Sequence, residues 1–223
     1  MSNVRKAKHG GLLTAIFAII SVIYVMPIVI VLYNSFKRKI FISNRPFALP
    51  DAKSFVGLEN YISGIEKIQL PKAFGYSLFI TVASVFVIIL CTSMCAWYIT
   101  RVKNALTSGM YMLFAFSMVV PFQMVMFTLS QTADQLKLNK PWNIWIIYLG
   151  FGAGLATFMF AGFMKSIPLE VEEASMIDGC NPLQTYFLIV MPMLKPTMVS
   201  VGILEAMWVW NDYLLPTLVL DIK

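Results

Sequence analysis

Long apolar runs separated by short polar connections set the pattern of this chain. Uninterrupted apolar stretches cover about residues 12–33, 74–99, 107–130, 142–164 and 197–220. Each is near or above the roughly 20 residues that carry a helix across a bilayer. Within the runs apolar residues follow one another instead of alternating with polar ones. Backbone groups in lipid must be satisfied inside their own segment, so this pattern predicts helices and excludes barrel strands. The expected fold class is all-α, a polytopic transmembrane helical bundle forming a single domain with five visible spans. The first run is too long for a signal-peptide core, and no small-residue cleavage pattern follows it before Lys37-Arg38-Lys39, so it is expected to be a retained helix.

Several positions inside the runs break the apolar pattern. Pro121 predicts a kink in the third span, and Gln123 and Gln131 nearby are expected to face a protein interior, because exposing them to lipid is costly. Gly150, Gly152, Gly154, Ala156, Ala161 and Gly162 form a small-residue stripe suited to close helix packing in the fourth span. In the fifth, Glu205 and Asp212 stand seven residues apart, hence on one helical face, with Trp208, Trp210 and Asn211 between or beside them. Ionisable groups at membrane depth mark an interior or a water-filled path, and Trp, Asn and carboxylate side chains can stack on a sugar and bond its hydroxyls. These five residues are therefore a candidate translocation pathway. Anchoring of the tryptophans at a membrane interface accounts for the same residues equally well.

Composition agrees with a membrane protein. Hydrophobic residues make up 59% of the chain and charged residues 13%, and the mean hydropathy is +0.76, beyond what a soluble domain of this size needs for a core. The net charge of +6 sits mostly in short connections, where anionic lipid headgroups explain it better than nucleic acid. Cys91, Cys95 and Cys180 form no framework and read as thiols. His9 is the one histidine, so no His-based metal site or catalytic triad is expected. The chain also lacks a Gly-x-x-x-x-Gly-Lys-Ser/Thr phosphate loop, so it is not expected to be an enzyme or to hydrolyse ATP by that route.

The polar segment between the fourth and fifth runs carries the sharpest signal. Pro168 opens LEVEEASMID, which places Glu170, Glu172 and Glu173 near a helix start, where carboxylates offset the positive dipole end. Gly179 is expected to end that helix, and Asn181-Pro182 to turn the chain into a second helix that stops at Pro192. Glu173-Ala174-Ser175, Asp178-Gly179, Ile189 and Met191-Pro192 fall in the register of the EAA loop. On these residues the chain resembles the membrane permease subunits of ABC importers, of the carbohydrate, maltose-importer-like kind. Ser175 and Met191 replace residues of similar size in the family pattern. Phe47 to Pro50, Leu58 to Tyr61 and Trp210-Asn211-Asp212 are similar to stretches of the same branch.

The resemblance implies a permease that moves a sugar or oligosaccharide into the cell, coupling the motion of ATPases to alternating access. Glu173, Ala174, Ser175, Asp178, Gly179, Ile189 and Pro192 would contact or transmit that motion. It further implies a second homologous permease chain, two cytoplasmic ATPase subunits that bind ATP and Mg, an extracytoplasmic solute-binding protein, and no cofactor in this chain. The expected location is the bacterial-type cell membrane, multi-pass, with the N-terminus and 165–196 cytoplasmic and 34–73 external. Counting basic residues opposes that orientation: Arg5, Lys6, Lys8, Arg101, Lys103, Lys165 and Lys195 fall inside, and Lys37, Arg38, Lys39, Arg45, Lys53, Lys67, Lys72, Lys137 and Lys140 outside. The length and mixed charge of 34–73, together with the family resemblance, override the count. Such permeases usually carry one span more than is visible here, so truncation before a sixth span is an expectation as well. The alternative is a secondary transporter driven by an ion gradient, which should show related halves; no internal repeat is apparent.

Overall fold

The computed structural model describes residues 10–220. Arg5, Lys6, Lys8 and His9 lie outside the described residues. The chain divides into two compact units, one ending at Ala73 and one beginning at Phe74.

In the first unit, α1 (Gly10–Asn34) is predominantly apolar and buried only at its last residue, Asn34. Two short helices follow, α2 (Lys39–Asn44) and α3 (Glu59–Lys67). The polar connection folds around Lys37, whose side chain is 1% exposed. A buried cation needs its donors met. Here Lys37 Nζ donates to Asn34 Oδ1 at 3.0 Å, to the Arg45 carbonyl at 3.1 Å and to the Ala48 carbonyl. An isolated antiparallel bridge pairs Lys37 with Phe55, and Asn60 Nδ2 donates to the Ser35 and Lys37 carbonyls. Asp51 closes a turn by accepting from the Lys53 and Ser54 amides. Hydrogen bonds from Ser54, side chain first and then backbone, hold its carboxyl below the ordinary value. This turn is therefore supported above the ordinary carboxylate range, and the support fades as pH falls through the lowered value.

The second unit is built from helices alone among the described residues. α4 (Leu70–Arg101) enters it from the preceding connection and, like α1, is long and apolar enough to span a bilayer. α5 (Ala105–Ser117) and α6 (Phe122–Gln135) occupy the third apolar run. The expected kink at Pro121 is a full break: the two helices meet at 106°. Pro121 is extended, with φ −65° and ψ 137°, and it also pushes the preceding residue out of helical geometry. Gln123 and Gln131, expected to face inward, are exposed on this chain.

α7 (Trp145–Met164) is the third uninterrupted span and the most buried. Its small-residue stripe works at two positions. A Cβ at Gly154 would come within 2.9 Å of the Phe114 carbonyl oxygen and 2.6 Å of Ser117 Oγ on α5. One at Gly152 would meet Ile88 Cδ1 at 2.8 Å and Glu205 Oε2 at 2.9 Å. Gly150 and Gly162 border open space.

After α7 come α8 (Leu169–Ile177), α9 (Pro182–Met193), α10 (Lys195–Asn211) and α11 (Leu214–Val219). Pro192 does not stop the helix as expected. The backbone widens into a π-helical stretch over Thr185–Val190 and continues through Met193, a local rearrangement that adjusts a helix around disrupted bonding. The bend falls after Met193 instead, where α9 and α10 meet at 75°. The fifth apolar run is shorter as a helix than its composition implied, because α10 ends at Asn211 and Asp212 is extended.

Candidate functional site

α8 begins after Pro168, whose extended backbone (φ −60°, ψ 137°) leads into the first turn with Glu170 and Glu172. It ends in a turn where the Gly179 amide donates to the Met176 carbonyl at 3.1 Å and the Cys180 amide to the Ser175 carbonyl at 3.0 Å. Gly179 has φ +92°, the left-handed conformation that glycine adopts freely and other residues do not. Asn181 then caps α9 through reciprocal bonds with Gln184, each 2.9 Å.

One side of α8 is fastened to the helices behind it. Glu172 is 1% exposed and takes three donors: Arg101 Nε at 2.9 Å and Nη2 at 2.6 Å on Oε1, and Trp97 Nε1 at 2.9 Å on Oε2. Arg101 Nη2 also donates to the Ile167 carbonyl at 2.9 Å. Three charge-assisted bonds to one carboxylate are the strong kind, and they join the last turn of α4 to the first turn of α8. The network continues sideways. Ser175 Oγ bonds the Glu172 carbonyl and lies 3.0 Å from Thr185 Oγ1. Tyr186 is fully buried, with its hydroxyl 2.6 Å from Ser93 Oγ and its ring 5.4 Å from that of Trp97.

The other side faces outward. Glu173, Ala174, Asp178 and Gly179 are exposed, with Met176 and Ile177 presenting apolar surface beside them. Of the candidate coupling residues, then, only Ser175 turns inward to the clamp. Ile189 is half-buried and Pro192 exposed in and after the π-helical stretch. The clamp carboxylate is Glu172, whereas the motif register points to its neighbour Glu173 for the coupling role. Arg101 and Trp97 were not singled out either. The available signals were the three-residue spacing of Glu172 and Ser175, which puts both on one helical face, and an arginine closing an otherwise apolar run.

The candidate pathway residues separate into two places. Glu205 is 3% exposed and packed against Gly152, with Oε2 lacking a protein hydrogen-bond partner among the described residues. Asp212, beyond the helix end, accepts from the Tyr148 hydroxyl at 3.0 Å and from the amides of Leu214 and Leu215. Trp208 packs edge-on against Tyr148 and Trp210 against Phe74. Asn211 Nδ2 turns back to the Met207 carbonyl. Among the described residues no group of acidic, cysteine or histidine side chains could hold a metal ion.

The second unit is thus an α-helical bundle with a short helix, α8, pinned to the end of α4. A chain of a bacterial ABC transporter that imports the acidic polysaccharide alginate shares the fold, with TM-score 0.80 over all of this chain and 78% of that one, at 20% identity. Residues 88–222 match the family described as binding-protein-dependent transport system inner membrane component, and the chain belongs to that family. It is 38% identical over 221 residues to the probable starch degradation products transport system permease protein AmyC of Thermoanaerobacterium thermosulfurigenes, covering 99% of this chain and 79% of the relative. It is also 33% identical over 206 residues to the multiple sugar-binding transport system permease protein MsmG of Streptococcus mutans, covering 90% and 72%. The chain is thus a transport component of the inner membrane, and the family places it with binding-protein-dependent systems instead of secondary transporters.

Proposed function

We propose that this chain is a permease subunit of an ABC importer for a sugar or oligosaccharide, working beside a second homologous permease, two cytoplasmic ATPases that bind ATP and Mg, and an extracytoplasmic solute-binding protein. The sugar class follows from the names of the relatives, and the ATPases from the family's type of transport. In this reading α8 is the coupling helix, which puts it and the N-terminus in the cytoplasm. Its exposed side, with Glu173, Ala174, Asp178 and Gly179 flanked by Met176 and Ile177, docks on an ATPase. Its buried side passes the displacement on.

The observation that carries the reading is the division of α8 into a free face and a clamped one. A helix held by a charged, buried, threefold bond at its first turn moves with α4 as one body, whereas a loosely tethered helix would absorb the displacement. Ser175, Thr185, Tyr186 and Ser93 extend the attachment to α9, so a push on α8 reaches α4 and α10 together. Glu205, Trp208, Trp210, Asn211 and Asp212 lie along and beyond the far part of α10, where a change in its tilt alters their surroundings; they are the proposed pathway side chains.

Two experiments test this. Capture through a tag on this chain should bring an ATPase and a second permease, and capture of neither would contradict the assembly. Gly179→Asp should leave the protein in the membrane but uncouple ATP hydrolysis from uptake, because aspartate strains the φ of +92°. Normal uptake in that variant would count against the docking role.

A further inference from the structure

Beside the clamp lies a cavity of about 980 Å³ between the end of α4, the start of α5 and the end of α7. The docking reading leaves it unused. Arg101, Lys103 and Lys165 stand on its wall. The Arg101 charge is met by Glu172, but neither lysine forms an ion pair among the described residues. Lys165 Nζ sits 6.0 Å from the centroid of the Tyr111 ring, and Tyr111 also lines the cavity.

The lining changes character along the helix axes. Lys103 precedes α5, and Thr107 and Ser108 lie in its first turn; Tyr111, Met112 and Ala115 follow deeper along the same helix. From Ser108 to Ala115 is about 10 Å at the helical rise. α7 runs the other way, so Ala161 lies one turn deeper than Lys165. Cations and hydroxyls thus cluster at one end, with Leu169 beside them, and Met112, Ala115 and Ala161 line the other. A soluble anion such as phosphate would use the first end only. A volume at the upper end of small-molecule sites with this gradient matches an amphiphile.

We infer that this cavity binds an anionic phospholipid of the cytoplasmic leaflet, its phosphate between Lys103 and Lys165 and its acyl chains along Met112, Ala115 and Ala161. Basic pockets between helices on that side of a membrane suit such headgroups. The inference rests on the proposed orientation of α8, since only then do the lysines face the cytoplasmic leaflet. Seated against Arg101, the lipid would buttress the wall of the clamp that faces away from Glu172.

The test is native mass spectrometry of the complex purified through this chain from nanodiscs holding equal phosphatidylglycerol and phosphatidylcholine. Wild type should retain phosphatidylglycerol in preference to phosphatidylcholine. K103Q/K165Q should retain about twenty-five-fold less, at a factor of about five for each lysine near the surface, while K103R/K165R keeps it. Equal retention of the two lipids by wild type would overturn the inference without recourse to any variant, as would undiminished retention by K103Q/K165Q. Displacement by inorganic phosphate alone would make the site one for a soluble anion, and a cross-link from Lys165 to a protein carboxylate would make it a protein contact; either contradicts a lipid. ATPase capture in the same preparation tests the importer reading separately, so the two can fail independently.

Discussion

Glu172 and Glu205 are the same residue type, with 1% and 3% of their surface exposed, yet their surroundings are opposite. Glu172 has a guanidinium and an indole on its two oxygens. Glu205 has no ion pair, and one of its oxygens lacks a protein partner among the described residues. The buried hydroxyls of Thr81, Ser84 and Thr157, on α4 and α7, likewise have no partner among the described residues, whereas those of Ser93, Ser175 and Thr185 near α8 all have partners. One region is closed electrostatically and the other is held by packing. The proposed coupling role of α8 needs the first property. A region that must open and close around a solute tolerates the second, since no strong bond has to break when its helices separate.

The comparison predicts a graded response to substitution. Glu172→Gln should have the largest effect, because it leaves the half-buried Arg101 without its counter-charge: about 3 kcal/mol of destabilisation, read as a lowered Tm of the purified complex. Gly154→Ala should come next, at about 1–3 kcal/mol of overpacking, since the added methyl meets a backbone carbonyl on α5. Gly152→Ala should be milder, because both atoms it meets are ends of flexible side chains. Equal effects for the two glycines would show that α5 shifts as easily as a side chain. Glu205→Gln should be the smallest, within about 1 kcal/mol, as it removes no ion pair; a loss as large as that of Glu172→Gln would erase the distinction between the two regions.

Much of this architecture was visible as periodicity. Continuous apolar runs pointed to α1, α4 and α7 directly, and Pro168 with Gly179 bracketed α8 within a residue or two of its ends. These are local properties, decided by what a stretch of backbone can do alone. The break before Pro121 was located but its size was not, because proline sets where a helix fails and neighbours set the angle. Pro192 misled, since a wide turn upstream let the helix continue. The clamp was least visible: Glu172 and Arg101 are 71 residues apart, and Trp97 lies in a run that read simply as apolar. Motif register drew attention to Glu173, whose exposed position suits a partner. It carried no information on which carboxylate the fold had buried next door.

In the proposed function the Glu172 clamp transmits ATPase motion into the spans. Its most direct test is the number of substrate molecules taken up per ATP hydrolysed, measured in proteoliposomes for the wild-type and Glu172→Gln complexes with ATPase subunits still bound. A fall of about tenfold or more is expected, the size of an ordinary inter-site coupling lost, with ATP hydrolysis continuing. An unchanged ratio in an assembled Glu172→Gln complex would contradict it.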